Sequence, residues 1–298
     1  MTVDFIGPAA EALLNWRDLN AEMVAGHARP MAQIKDMFLY QGKNTLLNRA
    51  AWIDGLGQLV KVATVFPGNA AQHLPTIGGA VNLFDDATGA LIAVIDFHLV
   101  TKWKTAGDSL LAARSLARPE SRKILIVGAG TVARSMIDAY RAGFQDPEFR
   151  VWARNPEAAA LLGQPVAPDL AEAVAWADII CTATMSEQPL IKGEWLQPGQ
   201  HLDLIGAYKP SMREVDDTAM SRARVFVDSR ATTLGHIGEL IEPLKSGAIT
   251  ESDVIADYYD FKNFRRRSAD EITLCKNGGG AHLDLMTAAY IARVWSQR

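Results

Sequence analysis

The stretch that decides the fold is Lys123-Ile-Leu-Ile-Val-Gly128-Ala129-Gly130-Thr131-Val132-Ala133. Its apolar run Ile124–Val127 predicts a short buried strand, and the two glycines predict a sharp turn. The spacing of Val132, Ala133, Met136, Ile137 and Tyr140 then predicts a helix that starts at once, with those residues on one side. Strand, glycine turn and helix in that order are the context a G-x-G-x-x-G/A motif needs to cradle a dinucleotide pyrophosphate. Gly128 permits the turn, Gly130 lets phosphate approach the main chain, and Ala133 allows close helix–strand packing. The unpaired N–H groups of the helix's first turn would face the anion. A tight turn without a ligand is the alternative.

Working outward, the next strand bears on which dinucleotide is expected. Val151-Trp152-Ala153-Arg154-Asn155-Pro156 carries no acid where a ribose 2′-hydroxyl would be bound, but it does carry Arg154, whose guanidinium can fork onto a 2′-phosphate. NADP(H) is therefore expected ahead of NAD(H), with Asn155 beside Arg154. The other reading has Arg154 stacked on adenine or turned to solvent. Apolar runs at Ile124–Val127, Phe149–Trp152, Asp178–Thr184, His201–Ile205 and Val225–Asp228 alternate with helical segments, which predicts a doubly wound parallel sheet over residues 115–270. Thr182, Thr184, His201 and Ile205–Gly206 are read as lying at the carboxyl ends or edges of its strands, where cofactors bind, with His201 as a helix- or strand-capping histidine the equal alternative.

Residues 1–114 have a different texture. A helix-like segment, Pro8–Leu19, precedes strand-like runs at Leu46–Leu47, Leu59–Phe66, Val81–Phe84 and Leu91–Phe97, separated by Asp54-Gly55, Pro67-Gly68-Asn69, Gly78-Gly79 and Asp85–Gly89. This predicts a β-rich, antiparallel region. Residues 271–298 hold one strand (Ile272–Cys275), a glycine triplet and a last helix that could pack back on the first region. The expected class is α/β: a Rossmann doubly wound parallel sheet (115–270) inserted into a β-rich domain made of 1–114 and 271–298.

Composition narrows the function. The chain has 298 residues, 49% hydrophobic and 21% charged, with a net charge of −4. That is a globular balance without the basic excess of a nucleic-acid binder. The apolar runs fall short of the ~20 residues of a membrane span, and the N-terminus lacks the basic and apolar regions of a secretory signal. Two cysteines, Cys181 and Cys275, and six histidines without HExxH or HxH spacing argue against a disulfide framework or a metal enzyme, so no metal is expected. A reducing cytoplasm is the expected compartment.

Several separated motifs together resemble one family. They are Leu59-Val-Lys61-Val-Ala-Thr-Val-Phe66-Pro67-Gly68-Asn69, Leu83-Phe-Asp-Asp-Ala-Thr-Gly89, Leu99-Val-Thr-Lys-Trp-Lys104-Thr105-Ala106-Gly107-Asp-Ser109, and the glycine motif. Cys181-Thr-Ala-Thr184, Gly199-Gln-His201-Leu-Asp-Leu-Ile-Gly206-Ala and Val227-Asp228-Ser229 complete the set. In content, order and spacing they resemble the ornithine cyclodeaminase/mu-crystallin family across nearly the whole chain. The resemblance implies a homodimer sealed by the β-rich domain and a small imine or amino-acid substrate. The family includes cyclodeaminases, amino-acid dehydrogenases and ketimine reductases, and mu-crystallin is itself known as a small-ligand binder.

The resemblance also assigns residues. Lys61 matches the family's substrate lysine, and an ammonium within an apolar strand asks for a partner, which a substrate carboxylate would be. An outward-pointing edge lysine is the alternative. Lys104 stands where many members carry Arg, and a lysine cannot fork onto a carboxylate. It is read as holding the substrate carboxylate or approaching the cofactor's pyrophosphate, with a surface residue at a helix N-terminus as the alternative. Thr105 is assigned to the nicotinamide side, and Asn277 with Gly278-Gly279-Gly280 is read as letting main chain approach it, with a flexible turn as the alternative; Asn69 and Gly279 are assigned to the substrate. His282 and Asp284, at i and i+2, are not read as a catalytic pair. Arg29 and Arg49 are near the place of a further family arginine, and neither matches it.

The departure with the most chemical weight is Tyr208, in Gly206-Ala207-Tyr208-Lys209-Pro210, where the cyclodeaminases carry an aspartate. Shuttling protons at two nitrogens needs a group that titrates near neutrality, and a phenol of pKa ~10 is poorly suited. Hydride transfer to a formed C=N asks less of the protein. The expected activity is therefore NAD(P)H-dependent reduction of a cyclic imine carboxylate, Δ1-pyrroline-2-carboxylate or Δ1-piperideine-2-carboxylate. Lys61, Lys104 and Tyr208 are its catalytic residues, and Tyr208 as a mere pocket wall is the other reading. Ornithine cyclodeamination and non-catalytic, NADPH-dependent ligand binding are the alternatives.

Overall fold

A computed structural model describes residues 2–298. The chain forms two compact units, one running up to Lys104 and including Gly280–Arg298, the other Thr105–Gly279. The first division falls inside a continuous helix, Phe97–Leu116, and so lies upstream of the boundary read at 114/115.

In the first unit six strands, β1 (Asp4–Ile6), β2 (Gln33–Gln41), β3 (Asn44–Ile53), β4 (Gly57–Val65), β5 (Ile77–Phe84) and β6 (Leu91–Asp96), form a sheet of order β1-β6-β5-β4-β3-β2. All neighbours are antiparallel except β1 with β6. In β4, Leu59, Lys61 and Ala63 alternate onto one buried face, as the period of two requires. The helix Ala281–Ser296 packs against β3, β4 and β5.

The single helix read over Pro8–Leu19 is two elements. A 3₁₀ turn, Pro8–Leu13, comes first, and an α-helix, Trp16–His27, follows. Asn15 separates them because its Oδ1 accepts from the main-chain N–H groups of Arg17 and Asp18, an N-cap that starts a new helix. Strand β2 has no counterpart in the sequence reading. Every one of its residues is exposed, so it lacks the apolar–polar alternation that marks a half-buried strand.

In the second unit β7 (Lys123–Val127), β8 (Glu148–Trp152), β9 (Ile179–Thr182), β10 (His201–Leu204), β11 (Arg224–Val227) and β12 (Thr273–Lys276) form a parallel sheet of order β11-β12-β10-β9-β7-β8. The sequence reading groups Ile272–Cys275 with the first region, but its ladder partners are β10 and β11. Strands buried on both faces read as continuous apolar runs, and Leu125, Val127, Ile180, Leu202, Leu204, Val225, Val227 and Leu274 belong to one core cluster. Val132 does not join the buried side of the helix Thr131–Gly143; it is 36% exposed, while Ala133, Met136, Ile137 and Tyr140 are buried. Among the described residues no helix is long and apolar enough to cross a membrane.

Register aligns the carboxyl ends of the strands. Trp152 pairs with Val127, Val127 with Thr182, Thr182 with Leu204, Leu204 with Lys276 and Lys276 with Val227. The order of connection reverses between β7 and β9, which opens a crevice at that edge. His201 is at the other edge. It is the first residue of β10, fully buried, with Nδ1 3.0 Å from Thr273 Oγ1. Burial, with help from Arg266, pushes its pKa down to about 3, so it is a neutral core histidine with no place among the cofactor residues.

Candidate active site

The carboxyl edge of the parallel sheet gathers most residues expected to hold a cofactor. Gly128 has φ +126°, and a Cβ there would stand 2.6 Å from the carbonyl oxygen of Ala183, so the turn admits only glycine. Gly130 is different. It precedes the helix Thr131–Gly143 with no side-chain cap, and a Cβ on it would meet nothing within 4 Å. The protein itself does not require glycine at that place, whereas an anion approaching the helix's free N–H groups does. Ala129 is half-buried, and Thr131 and Val132 are exposed. Arg154, two residues past β8, is exposed with no acidic partner among the described residues. This set fits a dinucleotide.

Other members of the expected set are engaged within the protein. Asn155 Oδ1 accepts from the main-chain N–H groups of Glu157 and Ala158, capping a short helix. Asn277, buried, donates through Nδ2 to Asp203 and, at 3.4 Å, to Ser109 Oγ. Its side chain therefore ties β12 to β10, and what it leaves for a ligand is main chain. Gly279, with φ +68°, donates its N–H to Asp228 Oδ2 at 2.6 Å. Thr182 ends β9, buried, and Ile205 follows β10, half-buried. Thr105 is half-buried in the long helix, and Tyr208 is 55% exposed with Lys209 Nζ 5.3 Å above its ring.

Thr184 leads to two buried carboxylates that sequence reading missed. Its N–H and Oγ1 both donate to Glu214, whose own N–H donates to Glu239. Both glutamates are fully buried. Burial, and next the charge of Glu214, push Glu239 up to about 7.

The first unit holds a row of charges across its sheet. Register sets Asp36 opposite Arg49 and Arg49 opposite Lys61. Arg49 grips Asp36 through Nη2 at 2.5 Å and Nε at 3.2 Å. Lys61 Nζ donates to Asp284 Oδ1 at 2.8 Å and to Thr101 Oγ1 at 2.7 Å, and sits 4.7 Å from the centre of the Phe97 ring. Arg49 Nη1 lies 3.9 Å from Asp284 Oδ2. Lys104, one helical turn beyond Thr101, is buried and forms no ion pair among the described residues. Three cations thus stand with two carboxylates, leaving one positive charge in surplus.

The titration follows from this crowding. Burial lowers the Lys61 ammonium, and Lys104 and Arg49 add to the effect against the pull of Asp284. Burial by itself would raise the Asp284 carboxyl; the charges of Lys61, Lys104 and Arg49 outweigh it and hold Asp284 below the usual range.

Three expectations change here. Lys61 lies in an interior strand and is only 5% exposed, so the outward-pointing reading fails. Its ion-pair partner within the protein is Asp284, a residue set aside in the sequence because it does not face His282. The signal available was a carboxylate among Leu283, Leu285 and Met286 in an apolar helix. Lys104 is buried, so the surface-helix reading fails too. Asn69, expected to touch substrate, donates through Nδ2 to the carbonyl of Pro75 and braces its own loop. Among the described residues no group of three or more His, Cys, Asp or Glu is arranged to hold a metal ion.

Comparison with known proteins identifies the family. The sequence model of the ornithine cyclodeaminase/mu-crystallin family matches residues 54–298. A Δ1-pyrroline-2-carboxylate reductase of Paracoccus denitrificans is 53% identical over 298 residues, covering 96% of this chain and 94% of its own. The Thermococcus litoralis Δ1-pyrroline-2-carboxylate reductase in complex with NADH and L-proline superposes with a TM-score of 0.88 at 25% identity, over 99% of this chain and 98% of that one. An archaeal alanine dehydrogenase dimer with bound NAD gives 0.89, also at 25% identity, over 100% and 97%. By a family match that spans most of its length, this chain belongs to the ornithine cyclodeaminase/mu-crystallin family.

Proposed function

We propose that this protein is a nicotinamide-dependent reductase of a cyclic imine carboxylate, with Δ1-pyrroline-2-carboxylate as first substrate and Δ1-piperideine-2-carboxylate close behind. The observation that carries this reading is the 53% identity, along nearly the full chain, to a protein named Δ1-pyrroline-2-carboxylate reductase. The site chemistry supports it. The surplus positive charge of the Arg49, Lys61 and Lys104 cluster is what a substrate carboxylate would neutralise, and Asp284 keeps Lys61 charged and aimed despite its burial. Gly279 contributes by close main-chain approach, while the Asn69 side chain braces its own loop.

Gly128, Ala129, Gly130, Thr131 and Val132 hold the pyrophosphate on main-chain N–H groups. Thr105, Thr182, Thr184, Ile205 and Asn277 line the nicotinamide side, while Arg154 with Asn155 reads the adenosine end. The exposed guanidinium of Arg154, without an acidic partner among the described residues, is the ground for proposing NADP(H) ahead of NAD(H). A reduced nicotinamide bound there supplies hydride to the imine carbon. Tyr208 donates a hydrogen bond to the imine nitrogen, and positioning with fixed charge provides most of the rate.

The active form we propose is a homodimer. Strand β2 lies at the sheet edge and exposes Ile34, Met37, Phe38, Leu39 and Tyr40, an apolar strand that invites a second copy. The buried free thiols Cys181 and Cys275 are in keeping with a reducing, cytoplasmic setting.

Absorbance of NADPH with purified protein and Δ1-pyrroline-2-carboxylate tests the reading, beside a tube of L-ornithine and NAD+ assayed for ammonia. The expected result is rapid NADPH oxidation and no ammonia. Ammonia with proline would replace the reading by cyclodeamination. Tight NADPH binding with neither reaction would make the protein a ligand binder.

A further inference from the structure

Glu214 has no part in the assignments above, yet its carboxylate accepts four hydrogen bonds at the carboxyl edge of the parallel sheet. Its Oε1 accepts from Thr184 N at 2.8 Å and Thr184 Oγ1 at 2.7 Å; its Oε2 accepts from Gly206 N at 2.9 Å and Ala207 N at 3.1 Å. Four donors fill the acceptor capacity of an ionised carboxylate. Thr184 belongs to the loop after β9, and Gly206 and Ala207 to the loop after β10. We infer that Glu214 is a positioning residue: its carboxylate clasps these two loops and so fixes where Tyr208 stands relative to Thr184 during reduction. The inference rests on the reading of Tyr208 as the group facing the imine.

The clasp is delivered from a rigid base. The N–H of Glu214 donates to Glu239 Oε2 at 2.8 Å, and its carbonyl accepts from Leu190 N at 2.8 Å and Ile191 N at 3.0 Å. The two loops also touch directly, since a methyl group on Gly206 would overlap the main chain of Thr184. On one side of Tyr208, Ala207 is fully buried in a small cluster with Met212 and Ile237. On the other, the carbonyl of Lys209 accepts from Met212 N at 3.1 Å and Gly238 N at 3.0 Å. The Tyr208 main chain is therefore gripped on both flanks while its side chain is free to meet a ligand. Hydrogen bonds to a buried charge are the strong kind, so a short-range clasp of this type holds position better than loop packing alone.

The test is Glu214→Gln in the full chain. Glutamine keeps one acceptor oxygen but turns an NH2 toward one pair of donors, which opens half of the clasp. Expected are amide hydrogen exchange at least ~10-fold faster at Thr184, Gly206 and Ala207 with β7 unchanged, and a kcat on Δ1-pyrroline-2-carboxylate lower by ~100-fold. KM for the imine should move by less than ~3-fold, because Lys61 and Lys104 are untouched. A folded E214Q with kcat within ~2-fold of the parent, whatever its exchange, would overturn the inference.

A parent protein that reduces neither imine would instead sink the functional reading. Unchanged exchange in E214Q would still sink the clasp in that case. If E214Q does not accumulate in folded form, Thr184→Ala and Thr184→Ser replace it. The serine variant keeps the hydroxyl donor and should keep the parent's amide exchange at Gly206 and Ala207; the alanine variant should exchange faster there by ~3-fold or more. Equal behaviour of the two would overturn the clasp.

Discussion

The carboxyl edge of the parallel sheet and the charged row of the antiparallel sheet both present positive potential, but from different parts of the chain. At the first, the donors are main-chain N–H groups at a helix start, and the design lies in what is missing: side chains at Gly128 and Gly130. At the second, buried cations and carboxylates stand against one another, Lys61 with Asp284 and Arg49 with Asp36. A main-chain site costs little stability because its dipoles exist anyway. A side-chain site of buried charges must remain balanced to fold at all. Binding and stability should therefore separate on substitution of Gly130 in the first region and fall together on loss of Lys61 in the second.

Lys61→Met is expected to have the largest effect. It leaves Asp284 buried without its main partner and should cost ~3–5 kcal/mol along with turnover. Adding Asp284→Leu should return most of the stability, read by urea unfolding, and none of the activity. A K61M protein as stable as the parent would erase the distinction between the regions.

Next comes a pair of substitutions on the main-chain side. Gly128→Ala meets both a positive φ and the Ala183 carbonyl, so ~1–3 kcal/mol of stability and NADPH affinity should fall together. Gly130→Ala has open space and should unfold within ~1 kcal/mol of the parent, yet bind NADPH ~10-fold more weakly by fluorescence titration. Unimpaired binding in G130A would remove the phosphate from that helix start. Arg154→Ala should leave stability alone and lower the preference for NADPH over NADH by ~10-fold, measured as the ratio of kcat/KM values. An unchanged ratio would move the 2′-phosphate reader elsewhere.

The smallest net effect concerns pH. Glu239 ionises at about 7 in the folded chain against 4.5 ordinarily, so between those values the folded state keeps a proton that the unfolded state has lost. Its contribution to stability is greatest below 4.5 and is lost as pH rises to 7. His201, lowered from 6.5 to about 3, acts in reverse: the unfolded state takes the proton, and stability rises with pH across that window. The two oppose each other between 4.5 and 6.5. Glu239→Gln should steepen the upward slope that His201 and His282, both lowered to about 3 by burial, give in urea unfolding across this range. Equal slopes in the two proteins would mean that Glu239 holds no proton in the folded state.

The sequence alone was enough to read Lys123–Ala133 as strand, turn and helix, because the steric demands of Gly128 and the burial period of Ala133, Met136 and Ile137 act between near neighbours. It was also enough to single out Lys61, since a charge inside an apolar alternation is anomalous wherever the strand ends up. Tertiary structure alone decided what Lys61 meets. Asp284 is 223 positions away and Arg49 arrives by strand register, and neither relation has a local signature. The same holds for β12 entering the parallel sheet between β10 and β11, for His201 starting its strand at the amino edge, and for Glu214 reaching across to two loops. Strand β2 escaped notice because an edge exposed on both faces has no burial period to display. Backbone sterics and burial period write themselves into adjacent residues. Which distant charges share a buried space is settled only when the strands pair.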